Sequence, residues 1–517
     1  MLIAFQEIRR TVRLLLFTLI FFFTPVVVVQ AQTASGTITG SVTDASGAVV
    51  TGAEVLVKDR STGLSYNAQS LKDGTYTVPL LPVGNYEVTV TAPGFETFHQ
   101  DLATLDVDQR LRINVSLVVG ATTETVSISG DQPVLQSEES SIGNVMEAHS
   151  IQELPLNGRQ PFTLALLIPG VQTISRASNG FADASNQSFS MLKINGGSTL
   201  GNQFLLDGAM DTLPTINEVS VVPMVDSIAE FRVMTNTLPA EFGQTSGGVI
   251  NLATKSGTSQ LHGTAYEFLR NDALNAVNRF AVATATSPEK PKLRYNQYGG
   301  TLGGPVVIPK LYNGRNKTFF FFGYEQWHER SAVLSFATVP TPLQRTGDFS
   351  QTVTAANVQI PIFDPATTVK NPGGTGLLRT QFQGNVVPAN RMDQLSLSLL
   401  KYLPLPNTIP TTPQNQLTNT NNYFTDAAGK IDQDVIAIRG DHRFSTNDSV
   451  FVRFAGNLNL TVSPGNGLGV SDPGARNDTR KNYNLAIGET HTFSPTILNE
   501  FRLSFVRQHL TYIAPSV

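Results

Sequence analysis

The sequence contains no cysteine among its 517 residues. This absence excludes disulfide-stapled scaffolds, thiol catalysis and cysteine-ligated zinc. Charge is also scarce: Asp, Glu, Lys and Arg together make up 15% of the chain, against about 25% in an average soluble domain. The formal net charge is -4, and no stretch is dense in Lys or Arg. The composition therefore predicts no nucleic-acid partner.

Long apolar runs are missing beyond residue 31. A membrane helix needs about 20 apolar residues, so any membrane role of the mature chain must use β-strands or surface attachment. The one apolar run, at 14–29, follows Arg9, Arg10 and Arg13 and ends in an abrupt polar exit. This pattern is typical of a secretory signal peptide at residues 1–31. An uncleaved anchor is the alternative, but Pro25 and the polar exit favour cleavage.

Recognisable catalytic and metal-binding patterns are also missing from the sequence. The seven histidines show no i, i+4 pair. Ser198 and Ser246 lack the glycine frame of a nucleophile elbow, and the glycines at 465–469 lie in a polar loop rather than between a strand and a helix. Asp432, Asp434 and Asp441 suggest a cation site, although the water-lined interior of a barrel explains them more simply. We predict no enzyme activity, no catalytic residue, no cofactor and no metal.

Residues 34–119 alternate short β-rich runs with glycine-containing turns. In 86–90 every second residue is apolar, as one face of a two-sheet sandwich requires. The predicted strands are 37–43, 54–58, 64–70, 74–79, 85–91 and 112–118. The motifs GSVTD at 40–44, GTYTV at 74–78, GNYEVTV at 84–90 and PGF at 93–95 resemble the carboxypeptidase regulatory-like domain family. That resemblance implies a small β-sandwich and no peptidase activity.

Residues 120–254 have a mixed α and β texture, with a short helix predicted at 160–167 before Pro169 and Gly170. Compact strand-turn units follow. These units are, in chain order, LKINGG at 192–197, FLLDG at 204–208, IAEFRV at 228–233, and last AEFG at 240–243 with SGGVIN at 246–251. In this order they resemble the plug domain of TonB-dependent outer-membrane receptors. The Oar-like branch of that family carries the same sandwich in front of its plug.

Residues 257–517 continue the resemblance into the transmembrane barrel of that family, through LHGTAYEFLR at 261–270, QYGGTLGGP at 297–305 and KTFFFFGYE at 317–325. Alternation supports it independently. Apolar and polar side chains take opposite faces in two stretches: Ile436, Ile438 and Phe444 against Arg439, Asp441 and Arg443, then Phe501, Leu503 and Phe505 against Glu500, Arg502 and Ser504. Such strands are typical of an outer-membrane barrel, although a soluble sheet with one wet face has the same period. Phe319–Phe322 is predicted to form a lipid-facing or interfacial girdle.

A long stretch at 335–432 is rich in Thr, Asn, Gln and Pro. Loops of this length are either functional or disordered. A short helix is predicted at 391–402, with Met392, Leu395 and Leu399 on one face. On the barrel interpretation this stretch is an extracellular loop, which either contacts the ligand or is only a solvated loop.

The fold class predicted is mainly β: an N-terminal sandwich, an α+β plug, and the first part of an antiparallel transmembrane barrel. The resemblance implies energised uptake of an unknown extracellular ligand, with the TonB complex and outer-membrane lipid as partners, in the outer membrane of a Gram-negative-type bacterium. Arg159 and Arg232 are candidate plug-lock residues, expected to pair with lumen carboxylates and hold the closed state; salt-bridged surface residues are the alternative. The alternative is a secreted or surface-attached β-rich binding or adhesion protein without transport activity, with the sandwich as an adhesion or carbohydrate-contact module.

The strand count departs from the family pattern. Barrels of this type have about 22 strands, whereas about ten residues per strand plus connections leaves space for only about six to eight after residue 257. The terminal aromatic strand expected of the class is also missing at 513–517. The sequence is therefore expected to be an incomplete version of a longer protein.

Overall fold

The computed structural model describes residues 35–120, 125–128, 142–173, 191–213, 217–243, 245–277, 290–465, 468, 472, 474–494 and 496–513. The predicted signal peptide at 1–31 lies outside these residues. The described chain is mainly β, in agreement with the predicted fold class. None of its helices is long and apolar enough to cross a membrane.

The N-terminal domain is a sandwich of two sheets with strand orders β4-β1-β7 (β8 also pairs with β1) and β3-β2-β5-β6-β9. Its strands are β1 Gly36–Asp44, β2 Glu54–Asp59, β3 Ser65–Gln69, β4 Thr75–Leu81, β5 Gly84–Thr91, β6 Thr97–Leu105, β7 Arg110–Arg112, β8 Val115–Leu117 and β9 Thr125–Ile128. Tyr86, Val88 and Val90 of β5 are fully buried, which confirms the alternation. The predicted strand at 112–118 is two strands, β7 and β8.

Strand β6 was not predicted from the sequence. Its pairing with β5 shifts register between Tyr86 and Val88, so the extra residue of a bulge lies in β6. As a result the buried residues change from an even-numbered position, Phe98, to the odd-numbered positions Ala103 and Leu105. A bulge of this kind removes the period-two signal by which a strand is recognised.

The central domain, as we call the described part of 142–254, holds a five-stranded sheet in the order β10-β15-β16-β13-β14. Its elements are β10 Ile142–Glu147, α1 Ala148–Glu153, β11 Val171–Thr173, β12 Leu192–Ile194, β13 Gln203–Leu206, β14 Ala209–Met210, β15 Ile228–Asn236 and β16 Val249–Thr254. The helix predicted at 160–167 is a 3-10 helix, Pro161–Leu167. Its Phe162 packs edge-to-face on Phe204 of β13, with 5.3 Å between ring centroids.

The C-terminal part forms one antiparallel sheet of seven strands, which we call the wall sheet, in the order β17-β18-β21-β24-β25-β26-β27. Its strands are β17 His262–Asn271, β18 Leu293–Pro305, β21 Thr318–Ala337, β24 Tyr423–Arg443, β25 Asp448–Pro464, β26 Ala475–Ser494 and β27 Ile497–Ile513. Consecutive strands pair, and the sheet is open, with β17 and β27 at its edges. Seven strands lie within the predicted range.

The connections of the wall sheet differ in length at its two ends. At one end β24–β25 and β26–β27 are joined by turns of a few residues, and β18–β21 by a small hairpin of β19 (Val307–Ile308) and β20 (Tyr312–Asn313). At the other end β21 and β24 are separated by residues 338–422. This long segment contains α2 Pro342–Arg345, β22 Val369–Lys370, β23 Leu377–Leu378, α3 Gln394–Leu400 and α4 Pro413–Thr418.

The helix predicted at 391–402 is confirmed in shorter form as α3. The Asp393 side chain accepts a hydrogen bond from the Ser396 amide at its start, and Arg345 donates to the Leu400 carbonyl at its end. Leu395 and Leu399 are exposed. The helix is therefore held by its caps, and the predicted apolar face does not pack into a core.

The two faces of the wall sheet are chemically different. On the outer face an unbroken row of apolar side chains crosses six neighbouring strands at directly opposed positions: Leu302, Phe322, Ile438, Phe454, Leu485 and Phe505. Phe501 and Leu503, which precede the last of these on β27, are each 55% exposed. The inner face carries buried polar side chains such as Arg453 and Asn484 beside apolar ones such as Val435 and Ala437, and it contacts the central domain. The alternation predicted for these strands is confirmed.

Two predictions about particular residues need correction. Phe319 and Phe321 are buried on the inner face, because a run of four on a strand must alternate, and only Phe320 and Phe322 point outward. Asp432 and Asp434 share the outer face with Ile436 and Ile438. Asp432 bonds there to His328 and Asp434 to the Tyr324 hydroxyl. Of the three aspartates, Asp441 alone lies on the inner face.

Candidate functional site

The contact between the central domain and the inner face of the wall sheet is the candidate site. Apolar contact seats the domain: Ala455 of β25 belongs to the core cluster of the central domain, and Met224 packs on Val435 and Ala437 of β24. Gly323 leaves space for this approach, since a Cβ there would lie 2.8 Å from the Met224 sulfur. The domain is therefore packed against the wall rather than merely adjacent to it.

Two arginines oppose each other on the inner face. The short turn between β24 and β25 sets a register in which Arg439 lies directly across from Arg453. Like charges in such a pair destabilise a sheet, and Arg453 is only 1% exposed, so water cannot screen the repulsion. Asp441 of the same strand pairs with Arg439 at 2.9 Å, so the opposed arginines need one further anion to balance their two charges.

Asp207 of the central domain supplies that anion. It stands with Gly208 in the two-residue turn between β13 and β14, where both residues have positive φ, 52° and 70°. This is the Asp-Gly turn typical of a tight hairpin. The turn places Oδ1 of Asp207 3.0 Å from the Arg439 guanidinium and Oδ2 3.1 Å from Nε of Arg453.

Further hydrogen bonds complete this three-residue cluster. Arg453 also donates to the Leu206 carbonyl at 2.8 Å and to Oδ1 of Asn484 at 2.8 Å. Thr254 donates to Asp207 from its amide and its hydroxyl, both at 2.8 Å. Burial opposes ionisation of Asp207, but the two guanidinium groups outweigh it and hold its pKa below the ordinary value. The cluster is therefore a fully ionised, buried ion triad.

Asparagine amides of β26 form a second layer of contact. Asn484 donates to Oδ1 of Asp211 at 2.8 Å, and Asn482 donates to the Ser220 carbonyl at 2.7 Å. Asp211 is fully buried, and its Oδ2 has no hydrogen-bond partner among the described residues. Burial raises the pKa of Asp211 to about 7. This carboxyl is therefore poised to titrate near neutrality.

The structure brings Arg159, a predicted lock residue, to the wall sheet. It pairs with Asp226 within the central domain, and its Nε lies 3.5 Å from Glu325 of β21. Its guanidinium also stands 4.7 Å from the centre of the Tyr266 ring on β17. Arg159 thus joins the central domain to the other side of the same inner face.

Arg232, the second predicted lock residue, lies at a different contact. Its guanidinium donates to the carbonyls of Val107 and Asp108 in the N-terminal domain, at 3.3 and 2.7 Å. Asn251 reinforces this contact by donating to the Asp108 carboxylate at 2.7 Å. The two candidates are therefore not brought together: one faces the wall sheet and the other faces the N-terminal domain.

Sequence reasoning missed the triad Asp207, Arg439 and Arg453. A signal was present, because counting back from the turn at 445–447 pairs Arg439 with Arg453 on the polar face. What the sequence could not supply was the partner, which is 232 residues from Arg439 along the chain. Among the described residues, the one group of three acidic or histidine side chains spaced for a metal is Asp448, Glu489 and His491, on the outer face.

An open antiparallel sheet with an apolar outer face and a polar, domain-covered inner face defines the chain as an outer-membrane barrel-type protein. Residues 253–516 match the outer membrane beta barrel domain family, and residues 37–118 match the carboxypeptidase regulatory-like domain. The chain belongs to the outer membrane beta barrel domain family and is TonB-dependent receptor-like.

The chain is also similar to individual proteins. The chain is 26% identical over 303 residues to the TonB-dependent transporter Oar of Myxococcus xanthus, covering 56% of this chain and 26% of that protein. It therefore spans about a quarter of the length of that relative. Among solved structures, the outer membrane transporter YddB from Escherichia coli gives a TM-score of 0.39 at 12% identity, covering 71% of this chain and 39% of that one. The ferric citrate transporter FecA gives 0.35 at 9%, covering 73% and 49%.

Proposed function

We propose that this chain is an outer-membrane TonB-dependent receptor or transporter of a Gram-negative-type bacterium. In this proposal residues 34–119 form a periplasmic sandwich, 120–254 a plug, and 257–517 part of a transmembrane barrel. The observation that carries it is the buried triad, in which the central domain supplies the anion for two arginines of the wall. A domain fixed to a barrel wall by a few charged contacts suits a plug that must be both held and released.

The outer face supports placement in a membrane. The apolar row across six strands, with Phe501 and Leu503 beside it, would be an aggregation surface in water. Facing hydrocarbon, the same row is satisfied, and the five strands between the edge strands β17 and β27 pair with a neighbour on both sides. Short turns at one end and a long segment at the other match the periplasmic and extracellular ends of such barrels.

The contacts at the inner face indicate how release could occur. Arg439, Arg453, Asn482 and Asn484 are polar groups that water can solvate once the central domain moves, whereas the apolar contacts of Ala455 and Met224 are lost on separation. Breaking a buried ion pair one partner at a time costs about 3–5 kcal/mol, which demands an energy source. In this proposal TonB supplies the energy by pulling, and an extracellular ligand enters as the plug shifts. Arg159 with Glu325 is a second holding point.

A single substitution tests whether the triad of Asp207, Arg439 and Arg453 holds the central domain on the wall sheet as a lock. Asp207→Asn keeps the size of the side chain but removes the charge between the two arginines. In the full chain purified in detergent, we expect trypsin to digest the central domain several-fold faster in this variant. Glu153→Gln is the matched control, because it removes an exposed carboxylate from the same domain. Equal digestion of the wild type and Asp207→Asn would rule out the lock.

Two further measurements test membrane placement and the energised partner. We expect the mature chain to need detergent for solubility. A chain that remains a soluble monomer in detergent-free buffer would exclude the barrel.

We also expect the mature chain to bind the purified periplasmic domain of TonB. Absence of TonB binding would exclude energised uptake by this chain.

A further inference from the structure

We propose a divalent transition-metal site on the outer face of the wall sheet, formed by Asp448, Glu489 and His491. It lies at the short-turn end, on the first residue of β25 and near the end of β26. One ligand atom from each residue lies within 4.8 Å of the other two. The seven histidines gave no indication of this site in sequence, because Asp448 and His491 are 43 residues apart.

Strand geometry fixes the three side chains relative to one another. Asp448 and His491 are directly opposed, and the next same-face pair is Val450 with Glu489. Glu489 and His491 are two residues apart on one strand, so they point to the same side. The arrangement is therefore built into the register of two long strands rather than into a loop.

The charges at the site are incompletely balanced. Asp448 pairs with Nδ1 of His491, and its other oxygen accepts a hydrogen bond from the Ser445 hydroxyl at 2.6 Å. Within the described chain, Glu489 has no hydrogen-bond or ion-pair partner. A His–Asp pair alone explains two of the three groups and leaves the Glu489 carboxylate without a counter-charge. A divalent cation that replaces the proton between Asp448 and His491 would balance all three.

The ligand types indicate which cations fit. One imidazole and two carboxylates suit Zn²⁺ or Mn²⁺, whereas an all-oxygen set is preferred by Ca²⁺ and Mg²⁺. Around zinc, bond lengths of about 2.0–2.2 Å place ligand atoms roughly 3.5 Å apart, which small side-chain rotations here can reach. The His491 ring already has its orientation set by edge-to-face contact with Phe493, at 4.2 Å between centroids.

The chain provides a matched control at His442. This histidine also lies on the outer face near the short turns and also packs edge-to-face on an aromatic two residues on, Phe444, at 4.4 Å. Its Nδ1 faces the Thr318 hydroxyl at 2.6 Å rather than carboxylates. It therefore shares the surroundings of His491 without the ligand set.

Calorimetric titration of the untagged, chelator-treated full chain in detergent with Zn²⁺ tests the proposal. We expect one zinc per chain, binding at least tenfold weaker in Glu489→Gln, lost in His491→Ala and unchanged in His442→Ala. Binding should also weaken at acidic pH, because zinc and protons compete for these ligands. Glu489→Gln preserves side-chain shape and stays informative if His491→Ala fails to fold. No zinc uptake by the wild type, full affinity in Glu489→Gln, or equal loss in His442→Ala would overturn the site.

Discussion

Asp207 shows how much of this site depends on a single residue in a tight turn. Its backbone conformation is local, since an Asp-Gly pair readily takes positive φ at two successive positions. Its role is entirely non-local, because the two guanidinium groups that it bridges come from β24 and β25. The turn could be predicted from FLLDG and the opposed arginines from the short hairpin. Their meeting depends on how one domain sits on another, for which no local pattern exists.

Asp211, four residues further on, makes a pH dependence expected. Its pKa is about 7 in the folded chain and about 3.9 when unfolded, so the folded state binds the extra proton between these values. Stability is therefore greatest at the acidic end of this window and falls as pH rises through 7. The total loss is on the order of 4 kcal/mol for three pKa units.

Thermal unfolding of the full chain in detergent at pH 5 and pH 8 measures this effect. We expect the melting temperature of the wild type to fall more between these pH values than that of Asp211→Asn, which cannot ionise. Glu230, whose pKa burial raises to about 8, contributes equally to both proteins and cancels in the comparison. Identical pH profiles would show that Asp211 does not carry the dependence.

At the scale of the strand, the period of two was the most informative signal in the sequence. It correctly separated Phe501, Leu503 and Phe505 from Glu500 and Arg502, because a strand with unlike surroundings on its two faces must alternate. It failed where a bulge shifts parity, as in β6, and where every residue is apolar, as in Phe319–Phe322. In that run alternation still holds, but the sequence does not reveal which pair of phenylalanines is buried.

A matched pair of substitutions on β27 tests which face meets lipid. Leu503→Arg places a charge on the outer face and is expected to destabilise the membrane-inserted form by about 2–4 kcal/mol if it lies near the bilayer midplane. Ser504→Arg places the same charge on the opposite, polar face and should cost far less. Urea unfolding from lipid vesicles measures both. Equal destabilisation would show that the two faces do not differ in solvent.

At the scale of the whole molecule, the N-terminal domain is tied to both of the others. Its turn at 106–109 receives the Arg232 and Asn251 contacts of the central domain. It also contacts the segment before β17, where the Ser259 amide donates to the Ser61 carbonyl at 3.0 Å. At the wall sheet itself, Arg443 lies 4.6 Å from the centre of the Tyr66 ring. Composition and motifs could predict three units but not these contacts, which join residues up to 377 positions apart in sequence (443 - 66).

Removing the Arg232 side chain should loosen this tie. Arg232→Ala deletes two charge-assisted hydrogen bonds, each worth about 1.5–3 kcal/mol, at a buried contact. We expect faster amide hydrogen exchange around 106–109 with unchanged exchange in β1 to β5. Arg112→Ala is the control, since its guanidinium bonds to Asn114 within the same domain. Unchanged exchange at 106–109 in Arg232→Ala would mean that other contacts hold the domain.

The hairpin tip at Asp207 and Gly208 also has a mechanical consequence. Arg439 and Arg453 lie on neighbouring strands of one sheet. The carboxylate that pairs with both of them belongs to a turn of only two residues. A force that lifts this turn acts on both ion pairs of Asp207 at once. A force that first separates the central domain from the wall sheet at Arg159 acts on these two ion pairs last. The direction of an applied force would then decide whether the contacts of the central domain with the wall sheet break in one step or in two.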